Sequence, residues 1–266
     1  MSASRFVAHG DVRVPRITVF FWIVKALSTA MGEATSDYLV NTIPPVIAVL
    51  IGFVAFGIAM ALQLSRRRYV AWAYWLAVVM VGVFGTMVAD VLHVGFGIPY
   101  VVSTILFAVI LAAVFITWRA VEGTLSIHTI DSSRREVFYW LAVVATFALG
   151  TAAGDLTAVV FGLGYFGSAL VFVAVILIPA IGFAVRKSHA VLAFWFAYVV
   201  TRPIGASLAD WFGKPVSVGG LGVGSGLVAL VLTLVIIGFV IYLSISRVDA
   251  QQGSVRPRRA DVRATR

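Results

Sequence analysis

The chain has 266 residues, 61% of them hydrophobic and 12% charged. A soluble domain of ordinary composition is nearer ~45–50% apolar and ~25% charged, which excludes that class and points to a membrane protein. There is no cysteine, so disulfides, thiolate metal sites and cysteine nucleophiles are excluded together, while 20 basic against 11 acidic residues raises nucleic acid as a partner unless position explains the excess.

Eight apolar spans of roughly bilayer length are predicted, beginning near residues 17, 44, 69, 99, 137, 166, 190 and 221. The first, FFWIVKALSTAMGEATSDYL, carries Lys25, Glu33 and Asp37. Pro44 and Pro45 suit the start of the second. The third and fifth carry Asp90 and Asp155, and the seventh carries Arg202, Pro203 and Asp210. Pro203 removes a backbone hydrogen bond to Val199 one turn earlier, so a kink or hinge is expected there. GGLGVGSG, before the eighth span, lacks the Lys-Ser/Thr of a phosphate loop and reads as a flexible loop or a close-packed helix start.

Between the spans the basic residues alternate sides. Arg5, Arg13 and Arg16 precede the first span, Arg66 to Arg68 follow the second, Arg119, Arg134 and Arg135 the fourth, Arg186 and Lys187 the sixth, and six arginines lie from Arg247 onward. Seventeen of the 20 basic residues therefore fall on one face, against Lys214 on the other. The positive-inside rule makes that face cytoplasmic, with both termini there. The basic excess is thus a topology signal, and no nucleic-acid partner is expected. The expected organisation is a tail at 1–16, two repeats in 17–118, a cytoplasmic connection at 119–136, two repeats in 137–246 and a basic tail at 247–266, with the membrane part arranged as two four-helix halves.

Aligned on tryptophan, the odd-numbered spans read WIVKALSTAMGEATSD, WLAVVMVGVFGTMVAD, WLAVVATFALGTAAGD and WFAYVVTRPIGASLAD. All four obey Trp-x9-Gly-x4-Asp without a gap, through Trp22, Gly32 and Asp37; Trp75, Gly85 and Asp90; Trp140, Gly150 and Asp155; and Trp195, Gly205 and Asp210. Their starts lie 53, 65 and 55 residues apart, which marks a fourfold internal repeat. The basic start and STA at 28–30 loosely match a cleavable leader, but a first span related to three later ones is expected to stay in the fold.

With its repeated tryptophan and the opening RVPRITVFFWIVKALSTAMGEATSDYL, the chain resembles, over residues 12–246, a family of bacterial membrane proteins of unknown function. The resemblance implies four tandem repeats of two transmembrane segments each and location in the bacterial inner membrane. It implies no activity.

An even number of spans per repeat makes the repeats parallel, so the fold expected is an all-α polytopic bundle with every Asp at one depth, about 22 Å beyond its Trp. The tryptophans are expected as interfacial anchors. The glycines, each followed four residues later by Ser36, Ala89, Gly154 or Ala209, are expected to allow close helix contact. The aspartates are expected as a cation or solute site, with capping of the following segment or a helix end in interfacial water as the structural alternatives. Stepping back by fours, the first helix continues the stripe through Glu33, Thr29 and Lys25, and the seventh through Ala206, Arg202 and Tyr198, with Lys214 beyond Asp210; the third and fifth offer only Thr86 and Thr151 before Val78, Gly82, Val143 and Phe147. Lys25, Glu33 and Arg202 are expected to form one buried charge network, serving with Pro203 as gate or coupling groups.

Oxygen ligands suit a hard cation, and His93 could add a nitrogen, although a histidine near a helix end is more often a capping group. No nucleophile elbow, zinc-protease helix or Ser-His pattern is visible, so neither an enzyme nor a cofactor is expected. The leading expectation is a transporter or channel for a cation or small polar solute in contact with the lipid bilayer; the alternative is a non-transporting interaction or envelope-assembly protein whose acids are structural.

Overall fold

The computed structural model describes residues 12–186 and 190–251, and the side chains of 12–178 and 190–251. Arg5, Lys187 and the tail arginines from Arg256 onward lie outside the described residues. Among the described residues eight α-helices follow in order: α1 (Val19–Thr42), α2 (Pro45–Leu64), α3 (Ala71–Asp90), α4 (Tyr100–Glu122), α5 (Ser133–Asp155), α6 (Gly164–Arg186), α7 (Ala190–Gly213) and α8 (Ser225–Ser246). Among the described residues, six of these helices are long and apolar enough to cross a bilayer by length and composition.

Local chemistry sets the helix ends. Thr18 caps α1 by accepting from the Phe21 amide, and α2 begins at Pro45, the second residue of the proline pair. Helix α5 starts four residues before the expected 137 because the Ser132 side chain accepts from the Arg135 amide. Helix α8 starts four residues later than expected because the glycine run folds back on the end of α7: Leu221 N donates to Trp211 O at 2.6 Å and Val223 N to Phe212 O at 3.0 Å. Gly219, Gly222 and Gly224 in that run all have positive φ, which only glycine adopts without strain.

The odd helices form an inner bundle in which α1 packs on α3, α3 on α5, α5 on α7 and α7 back on α1. Each even helix lies outside and packs on the next odd helix: α2 on α3, α4 on α5, α6 on α7 and α8 on α1. The join between the second and third repeats is packed like the others, so the two-half arrangement is replaced by one closed circle of four repeats. Burial follows from this position. Helix α3 buries fourteen residues, whereas α2 buries only Ala48, Gly52, Ala59 and Gln63 and turns Val46, Phe53, Val54 and Ile58 outward.

The repeat motif builds the circle. Each tryptophan sits against the aromatic residue that precedes the tryptophan of the neighbouring repeat: Trp75 on Phe21 at 5.8 Å between centroids, Trp140 on Tyr74 at 5.5 Å, Trp195 on Tyr139 at 6.0 Å and Trp22 on Phe194 at 5.8 Å. Trp75, Trp140 and Trp195 are buried and Trp22 is half-buried. The interfacial-anchor expectation is therefore corrected: these side chains are packing between inner helices. The glycines do what their spacing predicts. A Cβ on Gly32 would come within 2.7 Å of the Gly82 backbone, one on Gly85 within 2.8 Å of the Phe147 side chain, one on Gly150 into Arg202, and one on Gly205 into Thr29.

Loops at the basic end tie the bundle together. The extended segment before α1 receives a hydrogen bond at Val12 O from Tyr69 N and donates from Arg13 N to Ile130 O and from Arg16 N to Asp249 O. Arg13 also pairs at 2.8 Å with Glu136, a fully buried carboxylate that accepts from Gln63 at 2.9 Å.

Candidate functional site: a polar axis inside the inner bundle

Eleven residues beyond each repeat tryptophan stand Glu33, Thr86, Thr151 and Ala206. The first three converge on the axis. Ala206 leaves its quarter empty, and Arg202, one turn earlier on α7, fills it with its guanidinium. Arg202 Nη2 donates to Glu33 Oε2 at 2.7 Å and to Thr151 Oγ1 at 2.7 Å, and it also meets Thr86 Oγ1. Arg202 Nη1 donates to the Thr29 carbonyl at 3.1 Å. Thr86 and Thr151 reach Glu33 Oε2 at 3.1 and 3.2 Å. All four inner helices thus contribute to one node, in which Arg202 is fully buried and Glu33 is 2% exposed.

One turn further from the basic end lie the aspartates. Glu33, Asp37 and Asp210 each present a carboxylate oxygen within 4.8 Å of the others. Lys214, just beyond α7, approaches Asp210 Oδ1 at 3.2 Å and Asp37 Oδ2 at 3.9 Å. Burial opposes the Lys214 ammonium, but Asp210 and Asp37 outweigh it and hold the group above its ordinary range. Among the described residues, Asp90 and Asp155 stay outside this three-acid cluster.

The capping alternative fails at all four positions. Helix α1 continues past Asp37 to Thr42 and α7 past Asp210 to Gly213, whereas Asp90 and Asp155 lead directly into π-helical turns, Val91–Gly95 and Leu156–Val160, without a side-chain cap bond. At Asp90 and Asp155 the α-helix gives way to a π turn, so the chain stays helical past every aspartate. His93 Nδ1 donates to the Ile98 carbonyl of its own loop at 2.8 Å, and the ring stacks on Tyr100; among the described residues it is not grouped with the acids. Pro203 lies inside a continuous α7 and packs against Gly150.

Lys25 corrects the expected network. It is fully buried, but its ammonium has no hydrogen-bond partner among the described residues and lies 4.3 Å from the ring centroids of both Phe147 and Tyr198. It sits two turns from Glu33 on α1, so the ion pair is Glu33 with Arg202 alone. Thr29 and Phe147 lie on the stripes without an assigned role; the residues that motif reading missed are Tyr74 and Tyr139. A signal existed for the last two: the residue before each repeat tryptophan is Phe21, Tyr74, Tyr139 or Phe194, aromatic in every repeat.

Four stretches, 20–69, 73–124, 138–188 and 193–249, match the family described as Repeat of Unknown Function (DUF347). The chain belongs to that family. These DUF347 repeats coincide with the helix pairs α1–α2, α3–α4, α5–α6 and α7–α8, and their apolar helices make the chain a multi-pass membrane protein. No curated protein and no solved structure matches the chain.

Proposed function

We propose that this DUF347 protein is a transporter or channel for a cation or small polar solute, set in a bacterial cytoplasmic membrane with both termini inside. The observation that carries the reading is the axial node, where Glu33 and Arg202 are buried at the centre of four inner helices with Asp37, Asp90, Asp155 and Asp210 on the side away from the basic loops. Ionisable groups inside a membrane bundle are costly and mark solute pathways more often than they mark stability. Five carboxyl groups there outnumber the two nearby cations, Arg202 and Lys214, which leaves oxygen ligands for a cation arriving from the outer side. The Glu33–Arg202 pair is the gate: it closes the axis, and a passing cation competes with Arg202 for Glu33.

A second reading, a membrane scaffold with structural acids, is favoured by one feature. Glu33 Oε2 already has donors from Arg202, Thr86 and Thr151. Flux into liposomes containing the purified protein separates the two, using manganese, magnesium, calcium, protons and small organic solutes in turn. Transport above empty liposomes, lost in Glu33→Gln, supports the first reading; none for any solute returns the protein to the second.

A further inference from the structure

At the basic end, the start of α3, the end of α8 and the chain just beyond α8 enclose a cavity of about 340 Å³. Arg68, Val70, Trp72, Ser244, Arg247 and Asp249 stand in its wall. The charges of this wall do not satisfy one another: among the described residues Arg68, Arg247 and Asp249 form no ion pair. Asp249 is 1% exposed. Its Oδ2 accepts from the Tyr69 hydroxyl, and its Oδ1 has no hydrogen-bond partner among the described residues. A buried carboxyl oxygen without a donor is costly, so a donor from outside the chain has a place here.

The cationic part of the wall has two further features. Helix α3 begins after Val70 with no side-chain cap, whereas α1 and α5, which start at the same end, are capped by Thr18 and Ser132. Its first amides are therefore open donors close in sequence to Arg68, an arrangement that suits a phosphate. Arg247 has φ +52°, the one left-handed non-glycine among the described residues, at a helix end where glycine is usual. A left-handed arginine is disfavoured, and such positions persist where the side chain is used.

An apolar groove of about 460 Å³ runs between α3 and α8 and shares Trp72 with the cavity. Arg66 lies over that ring, 5.3 Å from its centroid. Along α3 the groove extends from Trp72 to Val83, about 16 Å at 1.5 Å per residue. That is close to half of the ~30 Å hydrocarbon core, the depth of one leaflet. Leu76, Ile237 and Ile241 are exposed along it and leave it open to lipid. The groove on the other face of α8, between α7 and α1, is as apolar but has no charged residue in its wall. The pairing of groove and charged cavity is thus particular to the α3–α8 side.

We propose that this face is a binding site for one phospholipid of the ethanolamine class, its phosphate held by Arg68, Arg247 and the first amides of α3, its ammonium by Asp249 and one acyl chain by the α3–α8 groove. The assignment is independent of what moves along the axis. A phosphate and a primary ammonium two carbons apart call for cations and an acid on one cavity wall, near each other yet not paired, and the wall supplies both. Arginine and helix-start amides are strong phosphate donors. Basic pockets between helices at a membrane face are recurrent headgroup sites. A glycerol headgroup carries no cation for Asp249, and a choline headgroup has no N–H to donate to Oδ1. Inorganic phosphate would engage the arginines but neither the acid nor the groove.

The test counts lipid on the full chain. Delipidated protein in detergent at neutral pH is titrated with phosphatidylethanolamine, phosphatidylglycerol or phosphatidylcholine of identical acyl chains, and lipid bound per protein is read by native mass spectrometry. Phosphatidylethanolamine is expected to add one molecule per chain with at least tenfold higher affinity than the other two. Asp249→Asn is expected to abolish that preference while phosphatidylglycerol binds at least as well as before. Arg68→Gln/Arg247→Gln, at two exposed positions, is expected to weaken all three lipids at least tenfold with the melting temperature unchanged. Equal affinity of the wild type for the three lipids, a preference for phosphatidylglycerol, or an undiminished preference in Asp249→Asn overturns the assignment. If Asp249→Asn does not fold, the arginine variant decides, and undiminished binding there overturns it too. Soluble glycerophosphoethanolamine separates a lipid from a free phosphate ester: it is expected not to displace bound phosphatidylethanolamine at equal concentration, and displacement overturns the lipid as occupant.

Discussion

The Glu33–Arg202 pair gives the sharpest prediction. Arg202 is fully buried and its partner carboxylate is 2.7 Å away, so replacing Glu33 by Gln strands a cation among Phe147, Thr86 and Thr151. Removing one partner of a buried pair costs roughly 3–5 kcal/mol, whereas removing both is often nearly neutral. Glutamine still offers an oxygen to Nη2, and each threonine bond is worth about 1 kcal/mol, which places Glu33→Gln near the lower end, about 3 kcal/mol. At roughly 2–4 °C per kcal/mol for a chain of this size, the melting temperature in detergent should fall on the order of 10 °C. Glu33→Gln/Arg202→Gln should recover at least half of that loss. Glu33→Gln/Lys25→Gln should recover none, because Lys25 lies about 12 Å along α1 from Glu33. Purified variants are compared by thermal unfolding followed by circular dichroism or intrinsic fluorescence. Strictly additive losses in the Glu33/Arg202 double variant would refute the pairing, and rescue by Lys25→Gln would restore the three-charge network.

Three further outcomes are expected. Asp37→Asn and Asp210→Asn should abolish flux with the protein still inserted, because those acids join Glu33 within 4.8 Å, while Asp90→Asn and Asp155→Asn should mainly weaken apparent affinity; equal activity in all four would sink the electrostatic site. Gly32→Ala should destabilise by about 1–3 kcal/mol or prevent folding, since its Cβ would meet Gly82 backbone at 2.7 Å, whereas Gly57→Ala, with nothing within 4 Å, should be neutral or slightly stabilising in the same melting assay. Asp249 has its carboxyl raised by burial, so the folded state holds its proton more tightly than the unfolded chain. That contribution to stability is complete below about pH 4 and is lost as pH rises through the raised value; relative to Asp249→Asn, the wild-type melting temperature should therefore fall over that interval.

Helix number, order and parallel repeat arrangement were legible because bilayer length, basic loops and a gapless three-residue repeat are one-dimensional signals. The glycine contacts were legible for the same reason, since small residues four apart mark a packing face. The role of tryptophan was not. An amphipathic residue near a helix end has two destinations, lipid interface or helix contact, and only the partner chosen by each tryptophan, the aromatic residue before the tryptophan of the neighbouring repeat, decides between them. Stepping by fours placed Lys25, Glu33, Arg202 and Asp210 correctly on inward faces, but depth along the axis separates Lys25 from the pair. Arg202 starts one turn away from Glu33 in repeat register and reaches it only because Ala206 leaves room, a fact about side-chain length and an absent neighbour rather than about periodicity.

The departures from fourfold symmetry follow one pattern. At the position before tryptophan the repeats read Phe, Tyr, Tyr, Phe; eleven residues after it, Glu, Thr, Thr, Ala; and beyond the aspartate, the helix continues as α in the outer repeats and turns to π in the middle two. A bundle selected only to pack would keep four equivalent quarters, since the tryptophan and glycine contacts are already satisfied in each. Here the buried Glu33–Arg202 pair and Lys25 lie on α1 and α7, which touch each other as the circle closes, and the paired tyrosines on α3 and α5. The first and last repeats, farthest apart in the chain, thus supply the close Glu33–Asp37–Asp210 group, and the middle repeats supply Asp90 and Asp155 outside that group, threonines to the centre and tyrosine hydroxyls toward the basic end. Cutting the chain between repeats should leave every local tryptophan motif intact yet divide this axis, so chemistry that depends on it requires all four repeats in one bundle.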